Sequence, residues 1–70
     1  MNDLTTIVEE SFDRAIQSPS PARWKSVSVV AGCAAVRMAA DGNLFVAAQL
    51  EGVAEEARRQ MLSMMPKEAA

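Results

Sequence analysis

Three residues of the kinds that build contact surfaces stand out in this seventy-residue chain: Trp24, Arg37 and Phe45. A guanidinium is drawn to the negative face of an aromatic ring, and Trp and Arg anchor many protein interfaces. A second group, Glu9, Glu10 and Asp13, gathers three carboxylates on a short segment. Paired carboxylates act as general acid and base where their surroundings tune their pKa. On the outside of a helix, with no cleft, they form a solvated face or meet a basic protein. Cys33 is the one cysteine and histidine is absent. A Cys–His nucleophile, an internal disulfide and a His-based zinc site are therefore excluded within this sequence. No phosphate-cradling glycine loop occurs either, so the expectation is a non-enzymatic protein with no cofactor.

The formal net charge is −2 and the isoelectric point is near 4.9, which argues against a nucleic-acid binder. The charge is unevenly placed. Asp3, Glu9, Glu10 and Asp13 oppose Arg14 alone in residues 1–18, whereas residues 19–40 carry Arg23, Lys25 and Arg37 and no acid. Seventy residues make one small domain, taken as residues 1–70. A chain of this size buries only about 60% of its unfolded surface, so a second copy or a larger partner is the expected staple. The segment MNDLTTIVEE lacks the apolar core of a secretion signal. The longest apolar run, VSVVAGCAAV, is too short to cross a bilayer and Arg37 closes it. A cytoplasmic protein without membrane contact is the expectation.

The elements that would position these residues follow from periodicity. Leu4, Ile7, Val8, Phe12, Ala15 and Ile16 recur at helical spacing, predicting a helix over 4–16 with Asn2 or Asp3 as its cap. SPSP, residues 18–21, ends it. WKSVSVV alternates serine with valine, AAVRMA and NLFVAAQL follow, and Gly32 and Asp41-Gly42 supply turns. These segments predict three strands, with a helix over 33–40 as the rival reading because alanine favours helices. Val53, Ala54, Ala57, Met61, Met64 and Met65 then predict a second helix over 51–65, closed by Pro66. Met38, Met61, Met64 and Met65 are expected in the core or a dimer seam.

Register sharpens the strand reading. A three-residue loop, Ala40-Asp41-Gly42, with Gly42 left-handed, sets Val36 opposite Val46 and Met38 opposite Leu44. A two-residue loop at Ala31-Gly32 brings Val27 and Val29 to the same apolar face. The other face would hold Trp24, Ser26, Ser28, Arg37, Phe45 and Gln49, with Arg37 directly across from Phe45. The predicted fold is α+β: an α-β-β-β-α two-layer sandwich, a three-stranded antiparallel meander with two helices on one face.

The expected function is a small protein-binding module, an accessory or inhibitor protein of phage or mobile-element type. Its open sheet face, and the acidic helix face of Glu9, Glu10 and Asp13, would occupy a larger protein partner. The alternative is a self-assembling subunit, a homodimer joined through that face or through the exposed strand edges at 24–30 and 43–50. A weak single-stranded nucleic-acid binder ranks third.

Overall fold

The computed structural model describes residues 4–66. It contains three helices, α1 (Leu4–Gln17), α2 (Pro21–Ala40) and α3 (Leu44–Met64). The sheet prediction is overturned, because there is no strand among the described residues. With it go the α+β sandwich, the face shared by Arg37 and Phe45, and the strand edges offered for pairing. The rival helix over 33–40 is present as the second half of α2, and the helix expected over 51–65 starts earlier, at Leu44. The predicted α1 cap at Asn2 or Asp3 lies outside the described residues.

The physical reason is legible in α2. Trp24, Val27, Ala31, Ala34 and Ala35 are its buried residues, and their three- and four-residue spacing is a helical stripe. Valine at 27 and 29 mimicked strand alternation, but only Val27 turns inward. Alanine is the best helix former, and Ala31, Ala34, Ala35, Ala39 and Ala40 favour winding this segment as a helix whatever register the valines would allow in a sheet.

Local chemistry fixes the helix ends. The Ser20 hydroxyl accepts a hydrogen bond from the Arg23 amide at 3.1 Å, and Pro21 occupies the first turn where its missing N–H is harmless. Ser20→Ala is therefore expected to cost about 1 kcal/mol, read as a lower urea midpoint. At the other end Gly42 does take the left-handed conformation (φ +82°), though as a helix cap and not as a hairpin turn. The Gly42 amide donates to the Ala39 carbonyl at 3.0 Å and the Asn43 amide to the Met38 carbonyl at 2.8 Å, a Schellman closure. Asp-Gly thus reverses the chain between two helices.

The three-residue link makes α2 and α3 antiparallel neighbours. One core cluster joins Val8 of α1 to Ala31, Ala34 and Ala35 of α2 and Leu50 and Ala54 of α3. A second joins Ala15, Trp24, Val27 and Ala57, with Phe12, Val53 and Met61 packed against it. Seven of the eleven buried hydrophobic residues are alanines, which lets helix axes approach toward the short end of the usual 8–10 Å range. Met38 packs on the first cluster and Met61 on the second, while Met64 and Met65 are exposed, so the methionines form no single cluster.

The core stays shallow because α1 leans mainly on α2. No Cα of α1 comes within 8 Å of one in α3, and only side chains meet across that gap. The radius of gyration is 12.9 Å, against about 11 Å for a compact chain of this length. α2 is the middle helix, flanked by the other two.

Candidate interaction surfaces

The residues singled out in the sequence do not assemble into one site. Trp24 is buried, 6% exposed, with its ring edge-on to Phe12 at 5.4 Å. Phe45 is 75% exposed on the first turn of α3, at the opposite end of the α2–α3 hairpin from Trp24. Arg37 lies exposed on α2, its Nε 3.6 Å from the Asp41 carboxylate. Such an exposed pair contributes at most about 1 kcal/mol. Gln49 is exposed one turn after Phe45, and Ser26 is exposed on α2. The Ser28 hydroxyl donates to the Lys25 carbonyl at 2.8 Å within its own helix. Glu9, Glu10 and Asp13 are exposed on α1, as the charge pattern suggested.

Two surfaces take the place of the predicted face. The first is the outer side of α2, where Ala22, Ser26, Val29, Cys33, Val36 and Ala40 are all exposed. Their alternating four- and three-residue steps are the spacing of a coiled-coil seam. Val29 is 54% exposed and Val36 72%, so this seam has no helix on it. Lys25 and Arg37 flank it, and α2 contains no acidic residue. The sequence signal was the absence of a polar face along VSVVAGCAAV; a helix apolar all round is one made to be covered.

The second surface is the open seam between α1 and α3. A hollow of about 240 Å³ is lined by Val8, Phe12 and Val53, with Glu9 and Asp13 on its rim. Phe12 also lines a larger hollow of about 540 Å³ bounded by Ile16, Pro19, Trp24 and Met64, with Glu56 and Gln60 on the α3 side. Glu56 is already engaged by Arg59 at 2.7 Å and Gln60 at 2.9 Å. Glu9 and Asp13 hold no ion pair among the described residues, and no cation lines either hollow. The groove is apolar with an acidic α1 bank.

No family model, curated protein or solved structure matches this chain. What its surfaces can do must therefore be read from their own chemistry. Among the described residues no three His, Cys, Asp or Glu side chains are grouped to hold a metal. No helix of the described residues is long and apolar enough to cross a membrane.

Proposed function

We propose that this chain is a non-enzymatic helical module that works by binding another protein, with the outer face of α2 as its contact surface. The observation that carries this reading is the exposure of Val29 and Val36 in a seam with coiled-coil spacing. Packing such a seam against a helix removes apolar area from water, at about 25 cal/mol for each Å² buried. Cys33 between the valines, with Ser26 and Ala40 beyond them, is small enough for a close approach, and Lys25 favours an acidic surround. The setting is cytoplasmic, which suits a chain with a single, unpaired cysteine. The role that fits is an accessory or inhibitory one, in which the module occupies a partner and performs no chemistry.

Side-by-side affinity capture from the native host tests the surface. Val36→Asp places a carboxylate in the seam and is expected to strip away the proteins retained by the wild type. Glu10→Gln, an exposed change on α1 outside the α2 seam, is expected to retain them. Equal capture by Val36→Asp and wild type, with unchanged helical circular dichroism, would exclude the outer face of α2 as the binding surface.

A further inference from the structure

Resting on that reading, we infer that the protein bound by the outer face of α2 is a second copy of this chain, seated in the acid-rimmed groove between its α1 and α3. The two surfaces are complementary in charge. The α2 face is flanked by Lys25, which holds no ion pair among the described residues, and by Arg37, paired at 3.6 Å with Asp41 at the helix end, while the groove carries Glu9 and Asp13 with no cation lining it. They also match in length. Val8 to Ile16 covers about 12 Å of the α1 axis, and Val29 to Val36 about 10 Å of α2.

Charge also decides against the symmetric alternatives. Packing α2 on α2, in either direction, turns Lys25 and Arg37 toward a helix that contains no acidic residue. Groove against groove opposes Glu9 and Asp13 to their own copies. Face into groove is the arrangement that brings opposite charges together.

Geometry makes the contact repeatable. At 100° per residue, Val29 and Val36 lie about half a turn from the arc of Val27, Ala31 and Ala34 that faces the core. One copy therefore presents its α2 face on one side and its groove on the other, and both can be occupied at once. Such a head-to-tail contact builds a ring if the rotation closes and an open stack if it does not.

Sedimentation velocity on the full chain at increasing concentration tests this. The wild type is expected to form a series of species above the monomer, weakened by added salt. Val36→Asp and the double variant Glu9→Lys/Asp13→Lys are each expected to associate about tenfold more weakly or worse, with wild-type circular dichroism, since both alter exposed positions. Mixed in equal amounts, they retain one sound groove and one sound face between them, and a dimer that grows no further is expected. A wild type that stays monomeric at every concentration overturns the inference. So does a mixture that remains monomeric while the wild type assembles. If the inference fails in either way but Val36→Asp still loses captured host proteins, the binding role of α2 stands with a foreign partner. If Val36→Asp alters neither assembly nor capture, both readings fall.

Discussion

Trp24→Ala is expected to destabilise the fold by about 3–5 kcal/mol, the range for emptying a large aromatic site in a core. A seventy-residue chain has a total stability of about 4–10 kcal/mol at the usual per-residue figure, so the loss removes a large share of it or all of it. The size follows from position. The indole is the largest side chain in the buried set, stands edge-on to Phe12 of α1, and shares its cluster with Ala57 of α3. It is thus the point at which all three helices meet. Urea denaturation followed by helical circular dichroism measures the effect. A midpoint within error of the wild type would show that Trp24 is not part of the core. Phe45→Ala is the natural contrast: its ring is three-quarters exposed, and its removal is expected to leave the midpoint almost unchanged.

Ala31→Leu is expected to destabilise by about 1–3 kcal/mol through overpacking. Ala31 is fully buried among Ala34, Ala35, Leu50, Ala54 and Val8. In a seam built of methyl groups, an isobutyl side chain must push α3 or α1 away or leave its preferred rotamer. The thermal midpoint should fall by about 4–8 °C for each kcal/mol lost. An unchanged or raised midpoint would mean that unfilled space lies beside Ala31 and that the helices are not in close contact there.

How much of this was legible in the sequence depends on the residue types of each segment. The stripe of Leu4, Ile7, Val8, Phe12, Ala15 and Ile16, together with the stop at SPSP, marked α1 as a helix, although Ile16 turns out exposed. The later half of α3 was equally clear, with Ala54 and Ala57 buried where the pattern placed them. The centre failed for a specific reason. VSVV imitates a strand, and the alanines that follow satisfy either periodicity, so turn chemistry at Asp41-Gly42 was read as joining strands. The turn is real; the elements on either side of it are helices.

The candidate surface failed along with the sheet. Trp24 was set beside Arg37 and Phe45 only by the assumed strand register, and a helix of twenty residues carries it inward and far from Phe45. The acidic face of α1 needed no sheet, and the exposure expected for Glu9, Glu10 and Asp13 is what the structure has. The seam on α2 went unread because its six positions share a face only when the segment is wound as a helix.

The arrangement of the helices also bears on how quickly the chain finds its fold. α1 packs its backbone on α2 and α2 on α3, while α1 and α3 meet only through side chains. Each helix therefore docks against its neighbour in sequence, across links of three residues. Little loop entropy has to be lost before contacts form, and helical proteins with such local pairing fold in microseconds to milliseconds. The clusters that join Val8 to Leu50 and Ala54, and Ala15 to Ala57, can form once neighbouring helices have docked in pairs.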